Sequence, residues 1–335
     1  MIADKTPTIA TICSHSALQI FHGAREENMP TLGICTKDRL DLYSSFPKAV
    51  PDDFLVIDEF PQVLEANIQS KLTAQNSIVV PHGSFVEYVG PQKLINDFSP
   101  PIFGNKHTLE WESDRIKERK WLERSGIRIP KEYENPADID RTVIVKFSGA
   151  KGGRGFFLAN SQEEFQSKIS GRENEEYTIQ EWAMGTRYYP HYFYSPLRGR
   201  LEILGFDRRD ESNIDEYYRV NQGEKSFVVV GNKPLAVRES LLPQLYKMGN
   251  NLIKSSQQLF GPGLFGPFCL ETVCTDKLEF ITFEISGRIV AGTNLYPQGS
   301  PYSFYYYDEP MSTGKRIARE IKTAFEQGQL ENITT

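Results

Sequence analysis

The stretch that decides the fold is residues 266–294, GPFCLETVCTDKLEFITFEISGRIVAGTN. It contains two apolar runs typical of strands, and each run carries one glutamate, Glu271 and Glu284. A carboxylate within an apolar strand is costly unless it is paired or bound to a cation. Two interpretations stay open: each glutamate forms a structural salt bridge, or the pair supplies the oxygen ligands that Mg²⁺ prefers. Arg288 follows closely, where its guanidinium could meet the oxygens of a transferring phosphate.

A glycine-rich segment, SGAKGGRG at residues 148–155, lies between two predicted strands at 142–147 and 156–159. Glycines let backbone N–H groups approach phosphates. Cations in and beside the segment would supply charge: Lys146, Lys151 and Arg154. It is not a Walker A loop, because no GxxxxGK[ST] pattern occurs and both flanks are strands. The segment predicts a flap over a triphosphate, with a plain hairpin turn as the alternative.

The front of the chain, to about residue 100, alternates apolar strands with amphipathic helices, which predicts a parallel sheet covered by helices. Ligands of such sheets bind beyond the carboxyl ends of strands, where helix N-termini offer N–H groups to anions. Two loops at such positions combine a histidine with small hydroxyl residues: Ser14-His15-Ser16 and Pro81-His82-Gly83-Ser84. Ser16 and Ser84 are either plain helix N-caps or part of an anion site. The presence of two such loops favours the anion site.

Pro100 and Pro101 interrupt the alternation of strands and helices, and a charged helix is predicted at 113–124. We therefore expect two domains, residues 1–101 and 102–335. The second domain is rich in strands of mixed order, typical of an α+β domain with an antiparallel sheet. The expected fold class is α/β at the front and α+β behind it.

The chain has 335 residues, with 38 Lys+Arg against 44 Asp+Glu and a net charge of −6. This mild acidity argues against a nucleic-acid partner, because nucleic-acid-binding domains are normally basic. No apolar stretch approaches the ~20 residues of a membrane helix, and the N-terminus lacks the apolar core of a signal peptide. We therefore expect a cytoplasmic protein with no membrane partner. The four cysteines lie mostly in apolar runs, which predicts buried thiols.

Together these features resemble the ATP-grasp superfamily and, at finer grain, the archaeal family that formylates an aminoimidazole carboxamide ribonucleotide with ATP and formate. The resemblance extends over nearly the whole chain. It rests on the segments SHSALQI (14–20), PHGS (81–84), Lys146 with the glycine-rich loop, QEW (180–182), DRRDESN (207–213), VGN (230–232), GPFCLE (266–271) and FEISGRIVAGTN (283–294). It implies a Rossmann-like pre-ATP-grasp domain over 1–101 and an ATP-grasp domain over 102–335, whose lid spans about 124–183.

The resemblance implies an ATP site between this lid and the late strands. The adenine would lie at a hinge formed by Gln180, Glu181 and Trp182, and Glu211 would face the ribose. The phosphates would lie under a group of lysines, an arginine and loop glycines: Lys106, Lys146, Lys151, Gly152, Gly153, Arg154 and Gly155.

The same resemblance assigns the metal, Mg²⁺ or Mn²⁺, to Glu271 and Glu284. It assigns the second nucleotide, 5-aminoimidazole-4-carboxamide ribonucleotide (AICAR), to a set of polar side chains: His15, Ser16, His82, Ser84 and Asn232. The residues that it implies in catalysis are Arg288, Lys146 and His15.

The implied reaction is the ATP- and formate-dependent formylation of AICAR to 5-formamidoimidazole-4-carboxamide ribonucleotide (FAICAR) through formyl phosphate, in purine (IMP) biosynthesis without folate. Two alternatives stay open: an ATP-grasp carboxylate–amine ligase with a different acid or amine, and a non-catalytic ATP-binding paralogue. The resemblance also implies a homo-oligomer, either a trimer or a hexamer. The aromatic run at 302–307 is interpreted as core, with an interface as the alternative.

Overall fold

The computed structural model describes residues 5–147, 155–212 and 228–335. Four predicted phosphate-binding residues therefore lie outside the described ranges: Lys151, Gly152, Gly153 and Arg154. The strands found within these ranges are β1 (Thr8–Ile12), β2 (Thr31–Thr36), β3 (Asp53–Ile57), β4 (Ser77–Val79), β5 (Glu132–Tyr133), β6 (Val143–Phe147), β7 (Phe156–Ala159), β8 (Tyr177–Glu181), β9 (Thr186–Ser195), β10 (Arg200–Glu211), β11 (Val229–Pro234), β12 (Gly266–Cys274) and β13 (Phe280–Ser286). The α-helices there are α1 (Ala17–Glu26), α2 (Leu40–Ser44), α3 (Ala66–Ala74), α4 (Pro91–Asp97), α5 (Lys106–Ser113), α6 (Arg115–Arg124), α7 (Gln162–Ile169), α8 (Leu242–Leu259) and α9 (Thr313–Glu326).

The front sheet has the strand order β3-β2-β1-β4, and all neighbouring strands are parallel. β1 and β2 are buried along their whole length, as expected for central strands with both faces covered. The parallel α/β architecture predicted for the front of the chain is confirmed. The carboxyl ends of β1 and β4 lead into the two loops that carry His15 and His82.

The rear sheet has the order β11-β10-β9-β12-β13, and all neighbouring strands are antiparallel, as predicted. One face of this sheet packs on α8 in an apolar core whose members include Tyr192, Phe206, Phe268, Leu270 and Leu252. Because side chains alternate along a strand, the residues between these apolar ones point to the opposite face. That opposite face carries the polar residues described below.

A third sheet, β5-β8-β6-β7, has a separate core with α7. Ser161 is the N-cap of α7, and its hydroxyl accepts a hydrogen bond from the backbone N–H of Glu164 at 3.3 Å. β6 and β7 form an antiparallel pair on either side of residues 148–155, so the two strands predicted to flank the glycine-rich segment are confirmed. The lid boundaries at about 124–183 stay a prediction.

The charged helix predicted at 113–124 is found as α6, and sequence analysis missed the helix α5 before it. Asp114 separates the two, because its backbone is extended with φ −99° and ψ 111°. Its side chain caps α6 by accepting from the N–H groups of Ile116 and Lys117, both at 3.0 Å. The break turns Glu112 and Glu118 towards the rear sheet from two different helices.

The C-terminal helix α9 packs against α1 of the front sheet. The backbones approach closely, since a Cβ on Gly23 would lie 2.1 Å from the backbone nitrogen of Lys315. Buried side chains from α1, the rear sheet and α9 belong to one core: Ile20, Phe193 and Ile317. The front and rear parts therefore share packing, and the boundary between 101 and 102 stays a prediction.

The burial predicted for the cysteines is found, whereas the burial predicted for the aromatic run at 302–307 is found only in part. All four cysteines are free and buried, as predicted. The interpretation of the 302–307 run as core is wrong for two members, because Phe304 is 73% and Tyr305 83% exposed. No helix in the described ranges is long and apolar enough to cross a membrane.

Candidate active site

The polar face of the rear sheet gathers many of the predicted site residues. Arg209 lies opposite Asn232 in the pairing of β10 with β11, and Glu271 lies opposite Glu284 in the pairing of β12 with β13. The register places further polar side chains on the same face: Tyr189, His191 and Asp207. A continuous polar surface therefore extends across the sheet.

Glu271 is buried, with 3% exposed, and it forms a bidentate salt bridge with Arg209. The Nη1 atom of Arg209 donates to Glu271 Oε2 at 2.7 Å, and its guanidinium lies 4.4 Å from the ring centroid of Tyr189. The structural salt bridge is thus present for Glu271. A carboxylate has about four lone-pair sites, so this pairing leaves room for a second contact.

Glu284 faces Glu271 directly across the strand pair. The charge of Glu271, together with burial by the surrounding protein, raises the pKa of Glu284 to about 7, although solvent still reaches its side chain. Two carboxylates placed opposite each other are destabilising when both are ionised. The fold therefore keeps two mutually repelling carboxylates next to each other.

Glu118 of α6 borders the same strand and was missed by sequence analysis. Its Oε1 accepts a hydrogen bond from the backbone N–H of Ile285 at 2.7 Å. Burial, and then the charge of Glu284, raises the pKa of Glu118 well above its usual range. In the sequence, Glu118 is one charge among many on a helix, and no pattern distinguishes it from a solvent-facing residue.

Glu112 of α5 was also missed, and it supports Arg288. It accepts a hydrogen bond from the backbone N–H of Gly287, and its Oε1 lies 3.4 Å from Arg288 Nε. Burial raises the pKa of Glu112. The Arg288 Nε is buried without a hydrogen-bond partner among the described residues. Its guanidinium carbon lies 3.7 Å from the point that a Cβ on Gly83 would occupy, so Arg288 borders the front loops.

Two predicted ATP-binding residues meet on the third sheet. Lys146 Nζ donates to Gln180 Oε1 at 2.9 Å, and Gln180 Nε2 donates to Glu132 at 2.8 Å. Burial lowers the pKa of Lys146. The lysine is thus fixed by a neutral amide rather than by a carboxylate, which leaves its charge available to an anion.

The other predicted hinge and ribose residues are arranged around two arginines. The Glu181 carboxylate lies 3.3 Å from Arg141, at the edge of the third sheet. Glu211 forms a salt bridge with Arg187, and the Arg187 guanidinium lies 5.8 Å from the ring centroid of Trp182. The structure therefore brings Trp182 and Glu211 to one place through Arg187.

Two further predicted phosphate-binding residues are described. Lys106 is the first residue of α5, directly after the N-cap Asn105. Gly155 has φ 70°, a backbone conformation that favours glycine, at the start of β7. Both lie next to elements of the site, and their contact with phosphate stays a prediction.

The second front loop is fixed by His82, which is fully buried. Its Nε2 is 2.9 Å from the carbonyl oxygen of Ile12, and the backbone N–H of Ser84 donates to its Nδ1 at 3.2 Å. These partners fit a neutral imidazole with the proton on Nε2. Burial lowers the pKa of His82 to about 4. His82 thus shapes the loop, and the Ser84 hydroxyl donates to Ser14 at 2.9 Å.

The first front loop presents His15, whose φ of 52° is unusual for a residue with a side chain. Its ring stacks on His82 with centroids 5.3 Å apart, and its Nδ1 lies 2.8 Å from the hydroxyl of Ser16. Burial, His82 and Arg288 lower the pKa of His15 well below its usual range, although the ring remains open to solvent on one side. Ser16 precedes α1 and Ser84 precedes a short π-helix at Phe85–Val89, and neither makes a side-chain capping hydrogen bond, so the plain N-cap interpretation is wrong for both.

Asn232 of β11 belongs to a polar chain. Its Nδ2 donates to Asp207 Oδ2 at 2.7 Å, and Asp207 Oδ1 lies 2.7 Å from His191 Nε2. Sequence analysis missed Asp207 and His191 as partners, because their contact depends on the pairing of β9 with β10.

The donor set fits a hard divalent cation. Glu271 and Glu284 are neighbouring carboxylates, and a cation would remove the repulsion that raises the pKa of Glu284. Among the described residues, no group of three or more His, Cys, Asp or Glu side chains is gathered closely enough to hold a metal by itself. The two glutamates therefore fit Mg²⁺ that takes its remaining ligands from substrate phosphates and water.

Two protein-family models match the chain. One, described as "Protein of unknown function (DUF1246)", covers residues 9–133, and the other, "Domain of unknown function (DUF1297)", covers residues 158–335. Two curated relatives carry the name 5-formaminoimidazole-4-carboxamide-1-(beta)-D-ribofuranosyl 5'-monophosphate synthetase. The protein from Korarchaeum cryptofilum is 49% identical and that from Methanococcoides burtonii is 51% identical, each over 97% of this chain and 94% of the relative.

Solved structures agree with this relationship. The crystal structure of an IMP biosynthesis protein PurP from Thermococcus kodakaraensis has a TM-score of 0.79 and 33% identity, and covers 98% of this chain and 100% of its own. An N5-carboxyaminoimidazole synthase from Aspergillus clavatus, in complex with ADP and an aminoimidazole ribonucleotide, has a TM-score of 0.64 and 10% identity over 96% of this chain and 77% of its own. The latter likeness shows a shared fold.

Proposed function

The chain belongs to the family of 5-formaminoimidazole-4-carboxamide ribonucleotide synthetases, which have the ATP-grasp fold, and we propose that it formylates AICAR with formate and ATP. The observation that carries the proposal is the 49% to 51% identity, over 97% of the chain, with relatives named for this product. The products are FAICAR, ADP and phosphate, and the reaction serves IMP biosynthesis.

The chemistry follows from the nature of formate. Its carboxylate is a poor electrophile and has no good leaving group. Transfer of the γ-phosphoryl group of ATP to a formate oxygen gives formyl phosphate and ADP. The 5-amino nitrogen of AICAR then bonds to the formyl carbon, the C–O bond to phosphate breaks, and the nitrogen loses one proton. Catalysis of such transfers depends mainly on positioning and charge neutralisation.

We assign charge neutralisation to Lys146 and Arg288. The amide of Gln180 holds Lys146, and Glu112 holds Arg288 at the border with the front loops. Glu271 and Glu284 would hold Mg²⁺ or Mn²⁺, which when bound neutralises charge on the phosphate oxygens. The fixed positions of these side chains support this assignment, because preorganised charges need not rearrange during the reaction.

We assign AICAR to the front loops and to Asn232. The lowered pKa of His15 leaves its imidazole neutral at pH 7, so it can accept a hydrogen bond or a proton from the reacting amino group. Ser16 and Ser84 do not cap helix N-termini; their hydroxyls bond His15 and Ser14, and a hydroxyl oxygen that already makes one hydrogen bond can accept another from the nucleotide.

We assign ATP to the edge between the third sheet and the rear sheet. The adenine lies at Gln180, Glu181 and Trp182 and the ribose at Glu211, in this assignment. The triphosphate lies near Lys146, Lys106 and Gly155, beside the loop residues outside the described ranges. The contact of Lys146 with Gln180, and of Arg187 with Glu211, supports one continuous site.

The test is an ADP-release assay with Mg²⁺ in which ATP, formate and AICAR are each omitted in turn, with the nucleotide product identified by mass. We expect release that needs all three substrates, and a product heavier by one carbonyl group. ADP release that needs a different acid or amine would favour another ATP-grasp ligase. ATP binding without turnover on any combination would favour the non-catalytic paralogue.

We also propose that the protein is a cytoplasmic homo-oligomer, a trimer or a hexamer. The exposure of Phe304 and Tyr305 supports an interface, because large aromatic side chains are enriched in contacts between subunits. Light scattering coupled to size-exclusion chromatography tests this. A monomeric mass at assay concentration would contradict it.

A further inference from the structure

The polar chain of His191, Asp207 and Asn232 is sealed from solvent at one end and open at the other. His191 is 2% and Asp207 1% exposed, whereas Asn232 is partly exposed on the edge strand β11. Nothing in the reaction described above uses His191 or Asp207. His191 and Asp207 are both buried, and their hydrogen bonds lead to the partly exposed amide of Asn232, which suggests that they act on this amide.

The chemistry of the donors fixes which way that amide faces. A carboxylate accepts hydrogen bonds and donates none, so Asp207 must receive an N–H from Asn232 and another from His191. The Nδ2 of Asn232 therefore faces Asp207 at 2.7 Å. Its carbonyl oxygen faces away, and it has no hydrogen-bond partner in the ranges that the structure describes.

The turn at Ala291–Leu295 packs against the buried end of this polar chain. A Cβ on Gly292 would lie 2.3 Å from Asp207 Oδ1 and 2.8 Å from His191 Nε2, so the backbone of the turn packs closely on both side chains. The same turn reaches the front loop, because Asn294 Nδ2 donates to the carbonyl oxygen of His15 at 3.2 Å. Asp207 is thus fixed relative to the loop that carries His15.

We infer that Asp207, supported by His191, is a positioning residue that makes Asn232 present only its carbonyl oxygen to the nucleotide base. An acceptor at this point bonds an N–H of the 4-carboxamide group and repels a carboxylate. The fold therefore selects the carboxamide nucleotide against the corresponding 4-carboxylate nucleotide. This inference rests on the proposed function, because it takes AICAR as the ligand of Asn232.

The variant that tests it is Asp207→Asn. His191 Nε2–H can still donate to the amide oxygen at position 207, which leaves an amide N–H₂ facing Asn232. Asn232 must then turn its oxygen to this donor and its N–H₂ to the nucleotide. We expect the preference for the carboxamide over the carboxylate nucleotide, measured as the ratio of their kcat/KM values, to fall by about tenfold or more. The KM for ATP stays unchanged.

The matched control is Asp210→Asn on the same strand, since Asp210 is partly exposed and pairs with Lys233 at 2.7 Å. It keeps the wild-type preference. If Asp207→Asn does not fold, Asn232→Ala decides the matter, because it removes the acceptor from an edge strand. An unchanged preference in a folded Asp207→Asn or in Asn232→Ala overturns the inference.

Direct titration of the wild-type protein with each nucleotide separates this inference from the proposed function. Tighter binding of the carboxamide nucleotide supports the inference even if no formylation occurs. Equal binding of both nucleotides overturns it even if AICAR is formylated, and then Asp207 and His191 serve only to stabilise the sheet.

Discussion

In the front loops, polar side chains are neutral and hydrogen-bonded to one another or to the backbone; on the rear sheet they are charged, and like charges face each other. His82 uses both ring nitrogens on Ile12 and Ser84. Glu284, in contrast, lies opposite Glu271 with its pKa raised to about 7. Both regions border Arg288, which lies between the front loops and the rear strands.

The two regions are therefore suited to different ligands. Neutral groups in fixed positions suit recognition of a base and sugar, because hydrogen bonds form without rearranging charge. Opposed carboxylates beside arginines and a lysine suit a ligand that brings its own charges, such as a metal–triphosphate complex. The front loops therefore offer neutral groups to a ligand, and the charges of the rear sheet are balanced by what the sheet binds.

The largest effect is expected from Glu284→Gln. Loss of one carboxylate at the proposed metal site should lower turnover by about 10²- to 10³-fold, because a preorganised charge is removed. The measurement is ADP release with all substrates present. The matched control is Glu279→Gln, immediately before β13, where Glu279 is half exposed and paired with Arg128. Equal turnover of the two variants would contradict the role of Glu284.

The next effect separates the two stacked histidines. His82→Ala leaves two buried backbone groups without partners, so the free energy of unfolding should fall by about 2 to 4 kcal/mol. His15→Ala removes a ring that is open to solvent on one side, so it should change stability little and weaken AICAR turnover. Chemical denaturation and steady-state kinetics on both variants measure this. A large loss of stability in His15→Ala would show that both histidines are structural.

A smaller effect concerns pH. Because the pKa of Glu284 is raised in the folded protein, the folded state binds its proton more tightly than the unfolded chain, and stability falls as pH rises towards 7. Above pH 7, Glu284→Gln should therefore melt a few degrees higher than the wild type. At pH 5, where Glu284 is protonated in the folded protein, the difference should shrink. A variant less stable than wild type at pH 8 would contradict the repulsion between Glu271 and Glu284.

The smallest effect compares two serines at helix starts. Ser161 caps α7, so Ser161→Ala should cost about 1 kcal/mol of stability. Ser16 does not cap α1 with its side chain, so Ser16→Ala should cost less than this and should raise the KM for AICAR. Thermal unfolding and kinetics give both numbers. Equal losses of stability in Ser161→Ala and Ser16→Ala would indicate that Ser16 is a plain helix cap.

The sequence predicted those parts of the site whose signal is local. Glu271 and Glu284 stand out as charges within apolar strands, and the loops at His15 and His82 stand out at the ends of strands. The same local signals predicted the parallel front sheet and the antiparallel rear sheet.

The parts that could not be predicted depend on tertiary contacts. Glu112 and Glu118 belong to the site only because α5 breaks at Asp114 and both helices turn to β13. Likewise, Asp207 and His191 meet only through the register of β9 and β10. Their residue types and spacing are those of ordinary surface or core positions.

The close packing of α9 on α1 bears on how the chain is made. The partners in this core, Ile20 and Ile317, are separated by most of the chain, so their contact forms late in synthesis. The front strands cover part of the apolar surface of α1, and the part that packs on α9 stays uncovered until α9 has been synthesised. The core that joins the front and rear parts is therefore completed only after α9 has been synthesised.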